Sequence, residues 1–140
     1  ETFGRETAAT TKGFVMEFIH APKACASVGP YSHCVKAGST YYLCGQVPFH
    51  PVTGEVVGNG MKEQAVQTLA NMKAVLEAAG LAVTDIAKTT VFVTNMDDFA
   101  AFNEVYAAFM GEHRPARVCV EVSNIAHGCL LEMDAICFKE

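Results

Sequence analysis

An arginine opens an otherwise apolar stretch near the end of the chain, in the sequence RPARVCVEV over residues 114–122. The guanidinium of Arg117 stays charged at any physiological pH, and its planar fork matches a carboxylate with two parallel hydrogen bonds. Two interpretations are open from these residues. Arg117 is either a solvated charge at the edge of a sheet or a receptor for an anionic ligand.

Two acids lie in the last apolar stretch, CLLEMDAICF over residues 129–138. Glu132 and Asp134 are two positions apart, so the alternation of a strand places both on the same face. An unpaired carboxylate among apolar neighbours is costly. The pair is therefore either a stripe that faces solvent or a site at which a carboxylate holds a water molecule or moves a proton.

Two further positions have the geometry of a binding site. A Gly-Pro pair precedes Tyr31 in GPYSH, and the proline restricts the loop before the next strand begins. Tyr31 either covers a pocket or packs as an ordinary loop residue. Gly45 stands at the end of a strand in CGQVP, where its missing side chain either lets a ligand approach the backbone or marks a β-bulge.

Other reactive residues carry weaker signals. Cys119 would be a nucleophile only beside a base, and no histidine is close to it in the sequence. His127 and Cys129 hint at a metal site, but a second pair at ligand spacing is missing, so we predict no metal. The chain has neither a glycine-rich phosphate loop nor the glycine pattern of dinucleotide-binding folds, so we predict no cofactor.

The composition limits the class of protein. The 140 residues carry a formal net charge of −5 without a cluster of Lys or Arg, which argues against nucleic acid as the main partner. No apolar run approaches the roughly 18 residues that cross a bilayer, so we predict no membrane partner. The six cysteines form no C-x-x-C pair and favour a reducing compartment, so we expect the cytoplasm, with an organelle leader left open.

The positions of these residues depend on the elements that the apolar patterns predict. Residues 1–12 lack apolar periodicity, so we predict a flexible tail or a processed leader there and a single domain over residues 13–140. Apolar spacing predicts one helix from Met61 to Ala79, capped by Asn59 and Gly80, and a second between Asn95 and Gly111. Six runs have strand patterns: GFVMEFI, both halves of SHCVKAGSTYYLCG, IAKTTVFVT, ARVCVEV and CLLEMDAICF.

This order of elements predicts an α+β or mixed α/β fold whose sheet carries both helices on one face. No predicted element is left to cover the other face. The apolar share of 51% with only 18% charged residues is also high for a small domain. We therefore expect an oligomer, with any site in a cleft between subunits.

Taken together and in this order, the motifs closely resemble the RidA (reactive intermediate deaminase A) family, also described as liver perchloric-acid-soluble or translation-inhibitor proteins. The resemblance covers about residues 18–138, nearly the whole chain beyond the predicted tail. No single motif is specific, but the ordered set is. The motifs that carry it are GPYSH, CGQVP, TGEVVG, VLEAAG, KTTVFV, DDFAAFNEVYAAF, RPARVCVEV and LLEMDAI.

The resemblance implies an α+β fold of the chorismate-mutase-like type, with a mixed six-stranded sheet and two helices on one face. It also implies a homotrimer with a barrel-like core and three intersubunit clefts. Family members hydrolyse 2-imino acids and their enamine tautomers, such as 2-iminobutanoate and 2-iminopropanoate, to 2-oxo acids and ammonia. Pyridoxal-phosphate enzymes that act on serine and threonine release these reactive species.

The resemblance also implies roles for particular residues. Arg117 matches the family's carboxylate-binding arginine, Glu132 its water-positioning glutamate and Tyr31 its site tyrosine. The remaining matched positions, expected to line the pocket, are Gly45, Cys44, Cys119 and Asn103.

Three positions depart from the usual family pattern. Cys44 stands where serine is common, His33 where glutamine is common, and Asp134 where glutamate is usual. These differences bear on substrate preference and rate, because they alter the polarity and the size of the pocket wall.

The expected mechanism joins Arg117, which clamps the substrate carboxylate, to Glu132, which holds the attacking water. Both groups are expected to meet in one crevice that assembly creates. Side chains of Arg117 and Glu132 that point into bulk solvent, or that lie on opposite sides of the sheet, would refute the deaminase interpretation. Two alternatives to the deaminase are an endoribonuclease or translation inhibitor, and a non-catalytic trimer that binds small carboxylates or acts as a holdase.

Overall fold

The computed structural model describes the backbone of Arg5–Ala9 and residues 15–140. In this part of the chain seven strands form a single sheet, and two helices pack as a layer on one of its faces. Short 3-10 turns lie at Val83–Asp85, Met96–Asp98 and Ala126–Gly128. The main elements are β1 (Arg5–Ala9), β2 (Val15–Ile19), β3 (Cys34–Ala37), β4 (Thr40–Gln46), α1 (Met61–Ala78), β5 (Ile86–Val93), α2 (Phe99–Met110), β6 (Ala116–Glu121) and β7 (Leu131–Phe138).

The sheet is mixed, with the strand order β1-β2-β3-β4-β7-β5-β6. Every neighbouring pair is antiparallel except β5 and β6, which run parallel. Parallel neighbours need a crossover connection, and α2 provides it here. β6, the strand that carries Arg117, therefore lies at one edge of the sheet, with β5 between it and β7. The predicted α+β class with two helices and six strands, β2 to β7, is confirmed.

β1 is the element that the sequence did not predict. Its backbone pairs with β2 from Arg5 opposite Ile19 to Ala9 opposite Val15. An edge strand is held by backbone hydrogen bonds, which need no apolar periodicity, so the pattern of side chains gave no signal for it. The rest of the stretch predicted as a tail, residues 1–4 and 10–12, lies outside the described residues.

Both helices begin and end close to the predicted positions. α1 follows Gly60, which has an extended backbone, so Gly60 and not Asn59 is the N-cap. Asn95 does act at the predicted start signal, because its side chain accepts a hydrogen bond from the Asp97 amide in the turn that leads into α2. α2 ends before Gly111, whose φ of 64° suits glycine. Within the described ranges, neither helix is long and apolar enough to cross a bilayer.

The core lies between the helices and one face of the sheet. Alternate residues of β7 point into it and are fully buried, whereas the residues between them are partly exposed. Burial of one large side chain such as Leu76 contributes about 2 kcal/mol. The largest fully buried side chains include Phe102, Ile19, Met72, Leu76, Ile86 and Leu131.

Among the residues that the structure describes, no helix lies on the opposite face of the sheet. Four large apolar residues of this face are exposed: Tyr42 (50%), Val118 (43%), Val120 (41%) and Phe138 (54%). They come from strands β4, β7 and β6. In the sheet β4 is next to β7, and β5 lies between β7 and β6. An apolar surface on several adjacent strands is typical of a protein interface. The predicted uncovered face is thus present, and we call it the open face.

Candidate active site

Arg117 lies on the helix-covered face of the sheet. It pairs with Thr89 of β5, and residues paired across neighbouring strands point to the same side. Thr89 is fully buried, and its hydroxyl shares a 2.8 Å hydrogen bond with the hydroxyl of Tyr106 in α2. The side chain of Arg117 is therefore directed at α2.

Three aromatic rings of α2 surround the guanidinium. Its central carbon lies 4.9 Å from the ring centre of Tyr106, 5.4 Å from that of Phe99 and 5.9 Å from that of Phe102. These distances allow a cation to be attracted by the negative faces of the rings. One nitrogen, Nη1, also donates a 2.7 Å hydrogen bond to Oδ1 of Asn103. Arg117 is thus held in place by neutral groups.

No carboxylate offsets this charge among the side chains described from residue 15 onward, since the ion pair found there joins Lys62 and Glu104. Guanidinium has five N–H donors, and Asn103 uses one of them. Such a preplaced and unneutralised cation favours the anion-receptor interpretation over that of a solvated edge charge. A cavity of about 350 Å³ adjoins it, lined by Asn103, Tyr106, Ala107, Arg114, Pro115 and Arg117.

Glu132 lies on the other face of the sheet. It pairs with Phe92 of β5, and positions 89 and 92 are an odd number of residues apart, so Arg117 and Glu132 point to opposite sides. Opposite sides of the sheet is the placement that we expected to refute the deaminase interpretation, so the expected meeting of the two groups in one crevice is wrong for a single subunit. Any site that uses both side chains must combine the Arg117 surface of one copy with the Glu132 surface of another.

Glu132 borders two small cavities. The first, of about 80 Å³, is shared with Tyr31, Cys44 and Gly45. The second, of about 280 Å³, is shared with the loop after β6, including Asn124 and Ala126. Three positions that the sequence selected are therefore brought together with Glu132 at one end of the open face.

The carboxylate of Glu132 has the properties of a base. Burial, with a smaller effect from the charge of Asp134, raises the pKa of the Glu132 carboxyl above its usual range. Asp134 is turned to the sheet, where its Oδ1 accepts a hydrogen bond from the Thr90 amide at 3.2 Å. Within the described part of the chain no donor is bonded to the Glu132 carboxylate, so its oxygens remain available for a water molecule.

Gly45 is required by the close approach of Glu132. A Cβ atom at position 45 would lie 2.8 Å from Oε2 and 2.9 Å from Cδ of Glu132, both shorter than ordinary contacts. The pairing of β4 with β7 also shifts register between Leu43 and Gln46, so the β-bulge interpretation holds as well. The β-bulge interpretation is therefore supported, whereas the approach of a ligand to the Gly45 backbone stays a prediction.

The two cysteines expected in the pocket are poor nucleophiles. Burial raises the pKa of the Cys44 thiol to about 11. Burial also raises the pKa of the Cys119 thiol, against the opposing effect of Arg117. Cys119 lies two residues beyond Arg117 on the same face and packs against the main core. Neither thiol therefore has the lowered pKa of a reacting cysteine. Cys44 lines the cavity at Glu132, whereas Cys119 is not among the residues that line the cavity at Arg117.

The weak metal hint receives no support. His127 packs its ring against Phe49 at 5.3 Å, and Cys129 is fully buried in a small apolar cluster. Among the residues that the structure describes, no group of three or more His, Cys, Asp and Glu side chains is arranged to hold a metal ion.

Sequence reasoning missed the aromatic surroundings of Arg117. In the sequence, Phe99, Phe102 and Tyr106 show only the spacing of an apolar face on the second helix. A signal was present, because an arginine that faces a helix with three aromatic residues on one side is a candidate for cation–π contacts. The strand register needed to place Arg117 opposite them is visible only in the fold.

Comparison with known proteins supports one class. The sequence model of the family described as "Endoribonuclease L-PSP" matches residues 20–139. A RutC family protein of Pyrococcus horikoshii is 48% identical over 124 residues, covering 89% of this chain and 98% of that protein. The 2-iminobutanoate/2-iminopropanoate deaminase of Escherichia coli K12 is 45% identical over 124 residues, covering 86% of this chain and 96% of that protein.

Solved structures agree with the sequence matches. The crystal structure of RidA from an Antarctic Psychrobacter superposes with a TM-score of 0.83 at 42% identity, covering 86% of this chain and 98% of that one. The chain belongs to the RidA family, whose sequence model bears the L-PSP endoribonuclease description.

Proposed function

We propose that this protein is a 2-imino acid deaminase, which hydrolyses compounds such as 2-iminobutanoate and 2-iminopropanoate to 2-oxo acids and ammonia. The observation that carries the proposal is the unneutralised guanidinium of Arg117, held by aromatic rings beside an open cavity. The deaminase name of the Escherichia coli relative supports the same reaction.

Arg117 binds the carboxylate of the substrate. Its free N–H donors match the two carboxylate oxygens, and the rings of α2 with Asn103 prevent the fork from turning away. This fixes the carbon of the C=N group relative to the protein. The substrate then loses translational and rotational entropy when it binds, so this loss no longer adds to the barrier of the chemical step.

Glu132 holds the attacking water and accepts a proton from it. The water oxygen adds to the electrophilic carbon of the protonated imine, giving a carbinolamine. Glu132 then returns this proton to the amine nitrogen. As the C–N bond breaks and ammonia leaves, the carbinolamine hydroxyl loses its proton to the carboxylate, which gives the 2-oxo acid. A raised pKa makes the Glu132 carboxylate a stronger base. It is therefore better suited to take a proton from the water molecule, which it can then pass to the amine nitrogen.

Two copies of the chain must contribute to one site. Arg117 and Glu132 lie on opposite faces of the sheet, so within one subunit the sheet separates the two side chains. The apolar open face beside Glu132 offers the surface for association. We propose the homotrimer that the family resemblance implies, with Arg117 of one subunit facing Glu132 of the next.

The test is a coupled assay in which threonine dehydratase supplies the imine. An amine added in excess traps any imine that escapes hydrolysis. We expect the protein to decrease the trapped fraction and to increase the rate of 2-oxobutanoate formation in proportion to its concentration. A trapped fraction that the protein leaves unchanged, with serine and threonine both tried as precursors, would contradict the deaminase. Binding of small carboxylates without turnover would then favour the non-catalytic alternative.

The endoribonuclease alternative has less physical support. The chain has a net charge of −5, and the cavity at Arg117 adds only Arg114 as a second cation. Arg114 is also engaged, since its Nη1 donates to the carbonyls of Gly111 at 2.6 Å and His113 at 2.9 Å. RNA binding depends mainly on phosphate neutralisation, for which two cations are a weak surface.

Replacing Gly45 with alanine is expected to lower kcat by about tenfold to a hundredfold, because displacement of a catalytic group by about 1 Å has an effect of this size. The new Cβ would displace the carboxylate of Glu132, which is the flexible end of its side chain, so the fold should tolerate the change. Steady-state kinetics in the coupled assay measures the effect.

Gly60→Ala is the matched control for this variant. A Cβ at Gly60 meets nothing within 4 Å, and its φ of −118° suits any residue. Gly60→Ala should keep the wild-type kcat. Equal activity of both variants would show that the position of Glu132 does not limit the reaction.

A further inference from the structure

His33 is a buried polar residue that the proposed mechanism does not use. Its side chain is 6% exposed. It lines the 80 Å³ cavity at Glu132 and also a larger cavity of about 440 Å³. Tyr31 borders the same two cavities. His33 and Tyr31 therefore lie between the cavity at Glu132 and its larger neighbour.

The two ring nitrogens of His33 have different partners. Nδ1 accepts a 2.8 Å hydrogen bond from the Ala21 amide, and Nε2 lies 2.8 Å from the carbonyl oxygen of Cys25, to which it donates. Only the neutral ring with its proton on Nε2 satisfies both contacts. Protonation of Nδ1 would set a second N–H against the Ala21 amide, and this hydrogen bond would be lost.

These contacts connect the loop before β3 to the strand that carries Gly45. The carbonyl oxygen of His33 accepts a 2.9 Å hydrogen bond from the amide of Cys44, the residue before Gly45. Its ring holds the start and the middle of the loop at Ala21 and Cys25, and Tyr31 is located two residues before it. The ring of His33 thus holds the loop of Tyr31, and the backbone carbonyl of His33 holds the same residue to the wall of the Glu132 cavity.

We propose that His33 is a positioning residue that holds Tyr31 over the Glu132 cavity when its ring is neutral and releases this loop when Nδ1 takes up a proton. Its effect on activity rests on the proposed deaminase function, whereas the release of the loop does not. The pair of contacts from one ring to two points of a single loop is the observation that carries the proposal.

The charged and titratable groups around His33 favour the neutral ring. Burial is the main cause that lowers the pKa of His33, the hydrogen bond to Cys25 opposes it, and the nearby His20 lowers it further. The His20 ring centre is 6.0 Å away. The remaining titratable groups at the shared cavities are Tyr31, Cys25, Cys44 and Glu132.

The sign of the pH effect follows from this direction. With the loop released, His33 regains its ordinary pKa near 6.5, so the released state binds the proton more readily than the closed state. The closed loop is therefore fully stable above that pH and loses stability as the pH falls below it. Weaker retention of substrate is expected on the acid side.

The first experiment observes the loop directly by NMR. With histidine and tyrosine labelled, we expect His33 to show an unprotonated Nδ1 at pH 8. We also expect the Tyr31 ring signals to change over the same pH range in which His33 titrates. In His33→Gln, whose amide can accept from Ala21 and donate to Cys25 without titrating, the Tyr31 signals should stay constant. Tyr31 ring signals that do not change while His33 titrates would overturn the proposal.

The second experiment compares the kinetics of the two proteins. At pH 8 the His33→Gln variant should keep kcat/KM within about threefold of wild type, because its hydrogen bonds replace those of the ring. Below about pH 6.5, the ratio of wild-type to variant kcat/KM should fall as the pH falls, by at most about tenfold for each pH unit and mostly through KM. The rate of spontaneous imine hydrolysis, measured without protein, is subtracted from both, and the ratio then cancels a titration of Glu132 that the two proteins share.

The outcomes separate the two proposals. A pH-independent ratio in an active enzyme would overturn the role of His33 and leave the deaminase intact. If neither protein hydrolyses imines, the deaminase fails, and the NMR response of Tyr31 still decides the role of His33.

Discussion

Replacement of Arg117 with alanine is expected to lower kcat/KM for 2-imino acids by about thirtyfold to a thousandfold. The loss of one partner of a desolvated charge pair costs about 2–4 kcal/mol in such sites, and each 1.4 kcal/mol corresponds to a factor of ten. Arg117 has no carboxylate partner in the described part of the subunit, so its removal should break no internal ion pair. The effect should therefore appear in activity while the fold and the oligomeric state remain, as checked by thermal melting and size-exclusion chromatography.

Two further variants make this result specific. Arg117→Lys keeps the charge but loses the planar fork, so an intermediate activity is expected. Arg114→Ala removes the other arginine of the same cavity, which is engaged with backbone carbonyls at the end of α2, and should cost less than tenfold. Full activity of Arg117→Ala would restore the interpretation of a solvated edge charge.

Mixing two inactive variants is expected to restore about a quarter of wild-type activity. Arg117→Ala lacks the carboxylate receptor, and Glu132→Gln lacks the base, which contributes about a hundredfold or more to such reactions. In a site shared between neighbouring subunits, Arg117 comes from one chain and Glu132 from the next. After random exchange at a one-to-one ratio, about one site in four contains both native residues.

The experiment needs denaturation and joint refolding, so that subunits exchange, followed by the coupled assay. Variants refolded separately and then combined serve as the control and should stay inactive if exchange is slow. Absence of recovery after joint refolding, with mixed oligomers demonstrated by differential tags, would contradict a shared site. Because Arg117 and Glu132 point to opposite faces, no simple rearrangement within one subunit could replace it.

The sequence was sufficient for the helices and for six strands because their apolar periods are regular. From the sequence we also selected seven candidate site residues, namely Arg117, Glu132, Tyr31, Gly45, Cys44, Cys119 and Asn103. The structure places Asn103 with Arg117 and groups Tyr31 and Gly45 with Glu132. The roles of these residues remain proposals, as do the trimer and the cytoplasmic location.

The sequence could not show which of these residues share a face. The relative side of Arg117 and Glu132 depends on the register of β6 and β7 against β5, and a shift by one residue would reverse it. The importance of His33 was hidden for a similar reason. A histidine near a turn is usually solvated, and only the return of the loop over it creates the two contacts with Ala21 and Cys25.

The open face has a consequence for catalysis in dilute solution. Its exposed residues, including Tyr42 and Phe138, lie on the same side of the sheet as Glu132, so the surface proposed for association also carries the proposed base. A separated subunit would then carry only the Arg117 part of one site and the Glu132 part of another, so it would have no activity. By mass action, the rate per chain would rise with the amount of protein until association is complete, and the abundance of the protein would itself regulate its output.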